Sequence, residues 1–427
     1  MNRLVLSLAI PSILASMTVP LVGMVDLAIA GHMGDASMMS GVVIGSVLFD
    51  LIYWNVGFLR IGTAGLTAQA FGRKDKEGMM RPFCQGIVTA IAVAVLMLAL
   101  QWVVVNGALA IMDCTEEVRI MASRYFYVRI WAMPAAMLLF VFRGWFVGMQ
   151  NTKFQMIVDV SVNVINMLSS YVLAIHTSFG FDGIALGTVI AQWTGLLLSV
   201  GLMFGFYRKI LSFNLNLITT GFSHFFRLNR DNFLRNIGLQ IIYSGFTIFA
   251  TYFGEVQLAL SAVMMKLLLG FSYFVDGFAF AGEALTGRFI GEKNREGVNG
   301  TIRTTFGWGL AIGIVFTFVY VFWGKTFISL FTNDVAVIDA SEEYLFWLWL
   351  MPVVSCLCFV WDGIYIGATA SAPMRDSMLW AAVLFVISYY CFRPLLGAQS
   401  IYIAYFIHLI TRSVYMTMKR NVVYRQC

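Results

Sequence analysis

Twelve apolar segments, each about 20 residues or longer, decide what this chain can become. They cover roughly residues 4–30, 39–71, 82–112, 117–148, 154–176, 182–207, 232–254, 256–290, 304–331, 338–368, 377–396 and 399–418. In hydrocarbon each segment must satisfy its own backbone N–H and C=O groups, so each is expected to be helical. Composition agrees: 60% of the 427 residues are hydrophobic and 12% are charged, about half the charged share of a soluble domain. The expected fold class is an all-α polytopic membrane protein with twelve transmembrane helices. Arg3 ahead of the first run imitates a secretory signal, but the run outlasts a signal's apolar core and no A-x-A-like site closes it. It is read as a retained first span.

The polar connectors alternate in charge. With the N-terminus placed in the cytoplasm, 20 of the 28 basic residues fall on the inner side. The outer side receives only Arg119, Arg124, Lys325 and Arg393, and Arg60, Arg129, Arg143 and Lys266 lie within spans. Lys and Arg collect on the cytoplasmic face, so both termini are expected inside a plasma (inner) membrane. The outer loops are acidic, as at Asp113, Glu116, Glu117 and Asp334. The net charge of +6 thus reflects topology and implies no nucleic-acid partner; the lipid bilayer is the partner surface. The six cysteines sit mostly in apolar runs. Cys356 and Cys358, two apart on a helix, point away from each other, so neither a metal pair nor a disulfide framework is expected.

The chain repeats itself at a spacing of 219 residues. Leu66, Thr67, Gly72, Lys74, Glu77 and Gly78 recur as Leu285, Thr286, Gly291, Lys293, Glu296 and Gly297, and Gly144 and Gly148 recur as Gly363 and Gly367. Six spans per half means that both halves enter from the same side, the parallel-repeat plan of some secondary transporters. The expected organisation is two pseudo-symmetric six-helix bundles, 1–210 and 231–427. A cytoplasmic interfacial linker at 211–230 joins them, its phenylalanines alternating with basic and polar residues. Glycines four apart allow close helix packing within each bundle. A central cavity with alternating access follows, and the chain is expected to act as a monomer.

Charges inside spans are expensive and are functional candidates by default. Foremost is Asp26, the only charge in Pro20–Gly31, six residues after a proline suited to a bendable helix. In the fifth span Asp159, Asn163, Asn166 and Ser170 follow a 4-3-4 spacing that puts them on one face, where they would form a hydrated pocket beside Asp26. The competing reading is interhelical hydrogen bonding alone. Asp276 and Glu283 share a face of the eighth span, with Lys266 about three turns earlier, and Asp362 precedes Gly363 in the tenth. These acids are candidates to pair with Lys266 or to bind a cation, and a purely structural ion pair is the competing reading. Arg60 is a candidate partner for Asp26 or Asp50, and His408 and Arg412 are read as a local hydrogen-bonded pair. The second half places Gly245 or Phe246 where the first has Asp26, so proton chemistry is weighted to the N-terminal half.

No enzyme signature is present: H-E-x-x-H and G-x-S-x-G are missing, and Gly324-Lys325-Thr326 lacks the upstream glycine of a phosphate loop. No cofactor is expected, and any pumping would be driven by an ion gradient.

Several stretches resemble the MATE multidrug and toxin extrusion family, its DinF-like branch in particular. They are FLRIGTAGLTAQAFGRKD (Phe58–Asp75), DGFAFAGEALTGRFIGEKN (Asp276–Asn294), WDGIYIGATASAPMRDSM (Trp361–Met378) and MVDLAIAGHMGD (Met24–Asp35). The resemblance covers nearly the whole chain. It implies two six-helix lobes and cation-coupled efflux of organic, often cationic, compounds or drugs. It also implies that the first-span acid, here Asp26, is the proton-responsive group. The family pairs a fifth-span Asn with an Asp four residues later; Asn166 matches, but Ser170 stands at the second position and departs from a two-carboxylate site. Sodium coupling in other branches uses acids in the seventh and tenth spans; the seventh span here (Phe233–Phe253) has none, while Asp362 lies in the tenth. The reading is a proton-driven efflux antiporter. Its rivals are a sodium-coupled drug antiporter and a lipid-linked oligosaccharide flippase, which would need a basic cavity. A membrane-embedded enzyme lacks the motifs.

Overall fold

The computed structural model describes residues 1–33, 36–112 and 114–427; Gly34, Asp35 and Asp113 lie outside the described residues. Among those described there is no strand. The helices are α1 (Asn2–Met17), α2 (Val19–His32), α3 (Ala36–Val56), α4 (Phe58–Gly72), α5 (Lys76–Ile111), α6 (Glu116–Arg129), α7 (Met133–Gly148), α8 (Thr152–His176) and α9 (Phe181–Tyr207). They continue with α10 (Leu215–Thr219), α11 (Phe222–Thr251), α12 (Glu255–Gly291), α13 (Arg295–Phe331), α14 (Val335–Ala340), α15 (Leu345–Gly367), α16 (Ser371–Leu396), α17 (Gln399–Met418) and α18 (Asn421–Tyr424). Short 3-10 turns at Ile130–Ala132 and Ser341–Tyr344 join α6 to α7 and α14 to α15. Among the described residues, ten helical segments are long and apolar enough to cross a membrane. α11 and α17 complete the twelve expected spans; they carry Arg227, Arg230, Asp231 and Arg235, and His408 and Arg412.

The chain forms two compact units, Leu14–Phe226 and Arg227–Cys427 together with Met1–Ile13. The start of α1 thus differs from the expected 1–210 bundle, and the reason is local packing. Gly277 of α12 has no Cβ; one placed there would lie 2.3 Å from the Ile13 side chain and 2.8 Å from the Ala9 carbonyl. Trp308 Nε1 also donates to Asn2 Oδ1 at 3.4 Å. The linker is shorter than expected, because α11 begins at Phe222. α10 is held on α5 by the Gln85 amide, which donates to the Ile218 and Thr220 carbonyls at 3.2 and 2.9 Å.

The first span is broken at Thr18. Pro20 has no N–H for the Ser16 carbonyl and its ring crowds that carbonyl, so the helix restarts at Val19 with the proline in its first turn. The Thr18 hydroxyl donates instead to the Ala15 carbonyl at 2.7 Å.

The repeat reappears as matched helix ends. Lys74 and Lys293 have φ of 58° and 54°, and Gln150 and Thr369 have 61° and 53°. Each follows a helix whose last carbonyls are closed by a 6→1 bond: Asp75 N–H to Ala70 and Asn294 N–H to Phe289, Asn151 N–H to Phe146 and Ala370 N–H to Tyr365. Asp75 and Asn294 then cap the next helices by accepting from the Gly78 and Gly297 N–H groups at 2.9 and 2.8 Å. The repeated glycines do the same job in both units. A Cβ on Gly144 would sit 2.3 Å from the Arg60 carbonyl, and one on Gly363 would sit 2.0 Å from the Ala279 carbonyl.

In the C-terminal unit, buried charge ties α11, α15, α16 and α17 together. Arg235 and Arg412 both donate to Asp362 Oδ2, at 2.5 and 2.6 Å. One turn away on α11, Asp231 accepts from Arg375 at 2.7 Å and from the Ser371 hydroxyl at 3.0 Å.

Two outcomes follow. Gly363→Ala should destabilise the protein by about 2 kcal/mol through overpacking against backbone, whereas Gly201→Ala, where nothing lies within 4 Å, should be neutral or stabilising by up to about 1 kcal/mol. Asp362→Asn leaves two buried guanidinium groups without their carboxylate and should cost about 3 kcal/mol. Thermal unfolding of the purified variants in detergent measures both.

Candidate functional site

In the N-terminal unit α2 packs on α3 and α8 and, more lightly, on α9. Asp26 sits on α2 and is only 5% exposed. Its Oδ1 is buried and meets no hydrogen-bond donor among the described residues. An ionised carboxylate so placed carries an unanswered desolvation cost. A proton, or a cation, would remove that cost.

The 4-3-4 stripe of α8 is present, and it divides its members among neighbours. Asp159 is taken by Arg143 of α7 at 2.6 Å, so it is a structural ion pair and not a free pocket acid. Asn163 donates to the Thr18 hydroxyl at 2.6 Å, fixing the break between α1 and α2. Asn166, 3% exposed, donates to Thr188 of α9 at 2.9 Å, while its own Oδ1 has no partner among the described residues. Ser170 is the hydroxyl beside Asp26; it donates to the Ile184 carbonyl at 3.1 Å. That close crossing is possible because Gly187 faces it: a Cβ there would lie 2.3 Å from Ser170 Oγ. Ser170 beside Asp26, with Asn166 one turn earlier on α8, is therefore the candidate site, and Asn163 holds the break at Thr18.

The cation that acts on Asp26 is Arg129, at the end of α6, and not the expected Arg60. Arg129 acts on Asp50 as well. It donates to the Tyr125 and Ser46 hydroxyls at 2.9 and 3.1 Å, and its guanidinium lies 4.7 Å from the centre of the Phe49 ring. Its Nε is buried without a partner among the described residues. Two spacings could have revealed this seat: Ser46, Phe49, Asp50 and Tyr53 share one face of α3, and Tyr125 and Arg129 are four apart on α6. Arg60 lies on α4, where its carbonyl forms the close crossing with Gly144.

The remaining candidates belong to the other unit. Glu283 is fully buried on α12, with its carbonyl 2.3 Å from where a Cβ of Gly367 would be. Asp276 is half-buried on the same helix and Lys266 is exposed. Asp362 pairs with Arg235 and Arg412; this is the structural ion pair weighed for it, made with two arginines and not with Lys266, and it leaves the carboxylate engaged rather than open to a cation. Arg412 likewise serves Asp362 and not His408, whose Nδ1 is buried without a partner among the described residues.

The two halves of the chain match the MatE family model over residues 11–172 and 233–390. Among curated proteins, DNA damage-inducible protein F of Escherichia coli is 31% identical over 411 residues, 95% of this chain and 89% of that protein. A probable multidrug resistance protein NorM of Photorhabdus laumondii is 22% identical over 356 residues, covering 80% of this chain and 76% of that one. Among solved structures, an outward-facing multidrug-resistance MATE transporter of the MOP superfamily superposes with a TM-score of 0.89 at 16% identity, covering 99% of this chain and 97% of that one. With both repeat halves matched and the E. coli relative aligned nearly end to end, the chain belongs to the MatE family of multi-pass membrane transporters.

Proposed function

We propose that this protein is a proton-driven antiporter that exports organic, often cationic, compounds across the plasma (inner) membrane, with both termini cytoplasmic. One observation carries the reading: the buried Asp26 oxygen that no donor among the described residues answers. A charge left unanswered in a dry lobe is a binding site for whatever neutralises it. Here a proton and a cationic cargo compete for the same carboxylate. When the site opens outward, Asp26 takes a proton, its charge vanishes, and the cargo is released. When the site opens inward, the proton leaves and cargo is drawn in. The break at Thr18, set by Pro20 and held by Asn163, gives α2 a place to move about.

Proton coupling is favoured over sodium coupling because Asp362 is engaged by two arginines and residues 233–253 contain no acid. A flippase for phosphorylated lipids would need free basic side chains. Arg143, Arg235 and Arg412 are each committed to a carboxylate; Arg129, held by hydroxyls, is a single guanidinium and does not make the basic cluster a pyrophosphate needs.

In proteoliposomes, Asp26→Asn should reduce proton-gradient-driven efflux of a cationic dye to the level of protein-free vesicles, and a sodium gradient alone should drive no efflux by the wild type. Full efflux by Asp26→Asn would overturn the proposal. Asn163→Ala removes an interhelical hydrogen bond of about 0.6 kcal/mol and should slow efflux several-fold while leaving dye affinity within about twofold.

A further inference from the structure

We infer that Arg129 is the specificity-determining residue of the N-terminal site. It is a fixed counter-charge that lets one proton cancel the site's whole net charge, and so suits the site to monovalent organic cations. The inference rests on the Asp26 reading above and adds to it.

The argument is a charge balance. The groups around Asp26 and Arg129 can be named element by element. α3 contributes the exposed Asp50, one turn after the Ser46 that Arg129 holds, and then Tyr53; α6 contributes Tyr125 and Arg129. α8 contributes Asn166 and Ser170, both neutral, with Asp159 already paired to Arg143. α9 contributes Thr188, and its Asp182 is paired to Arg124 at 2.6 Å. α2 itself ends in His32, whose Nδ1 lies 2.8 Å from the Ala28 carbonyl. Among the described residues, the charges that remain are Asp26, Asp50 and Arg129. With both acids ionised the seat carries one net negative charge; with Asp26 protonated it carries none.

Without Arg129 the same proton would take the seat from two negative charges to one, and a cation would still be held. Arg129 is built to stay where it is. Its hydrogens go to hydroxyls and its plane to an aromatic face. It is bound directly to neither acid, so it acts on both without being consumed by either. A direct ion pair such as Arg143–Asp159 would cancel one acid permanently and leave the other to work alone.

The test uses the full-length protein in nanodiscs and proteoliposomes, with tetraphenylphosphonium as a non-titrating monovalent probe. For the wild type, binding should weaken as pH falls from 8 to 5. Arg129→Gln should bind the probe about tenfold more tightly at pH 5 and transport it with lower KM and lower maximal rate, because release fails. Arg129→Lys should restore wild-type behaviour. The double variant Asp50→Asn with Arg129→Gln, which re-establishes the balance, should restore acid release even though the Ser46 and Tyr125 hydrogen bonds are gone. An Arg129→Gln protein with wild-type pH dependence and KM would overturn the inference, as would a double variant that stays locked on the probe. Those results leave the Asp26 reading standing if Asp26→Asn is inactive. If Asp26→Asn transports normally, it is the Asp26 reading that fails.

Discussion

A buried charge must be answered, and most of this molecule's interior is arranged around that demand. Hydrocarbon and packed helices screen little, so an unpaired ion inside a lobe is costly. Asp159 is answered by Arg143, Asp362 by Arg235 and Arg412, and Asp231 by Arg375. Asp26 is different. Its cation acts from a distance, and one of its oxygens is left without a donor. The contrast separates acids held in direct ion pairs from Asp26, the acid on which the proposed coupling rests.

Duplication gives the two units the same scaffold and different chemistry. Their helix caps and glycine crossings coincide at the repeat spacing, down to a lysine with positive φ in each. The polar seat does not coincide. Where the first unit has Asp26, Asn166 and Ser170, the second has Gly245, Phe385 and Tyr389. There Tyr389 stacks on Phe249 with ring centres 3.7 Å apart, and a Cβ on Gly245 would press against Phe385 at 2.9 Å. Aromatic packing has filled the space that would otherwise need hydration. Another repeat position has kept its charge but reversed its sign: Arg143 in one unit and Asp362 in the other, each bound to a partner of opposite charge. Scaffold positions are constrained by backbone contact, while charged positions are constrained only by having a partner.

The fold was legible in the sequence because its determinants are local. Segment length, basic loops and a fixed repeat spacing specify helices and their number without reference to contacts. Asp26 was legible for the same reason, as a lone acid in an apolar run. Pairings were not. Asp362 finds Arg235 127 residues away and Arg412 50 residues away, and spacing along one helix cannot report such partners. Arg129 was legible as a residue within a span but its partners were not, because they sit on α3 and one turn back among aromatic residues of α6. Its role emerges only when α3 and α6 are seen to present Ser46, Phe49 and Tyr125 to it. The start of α1 was misassigned because chain order suggests one bundle, while the glycine that receives Ile13, Gly277, lies far along the chain.

Ser170 explains why a distant cation suffices. A second carboxylate at that place on α8 would stand beside Asp26 and beneath Gly187, in a crossing too close for a Cβ on the facing helix. It would repel Asp26 and would need a counter-charge of its own. A serine asks for neither. Its hydroxyl is satisfied by the Ile184 carbonyl, so it fills the crossing without adding charge. If Asp26 is the acid that titrates, as proposed, a single guanidinium held by hydroxyls is enough to balance the seat. The serine on α8 and the arginine on α6 are then two halves of one electrostatic arrangement.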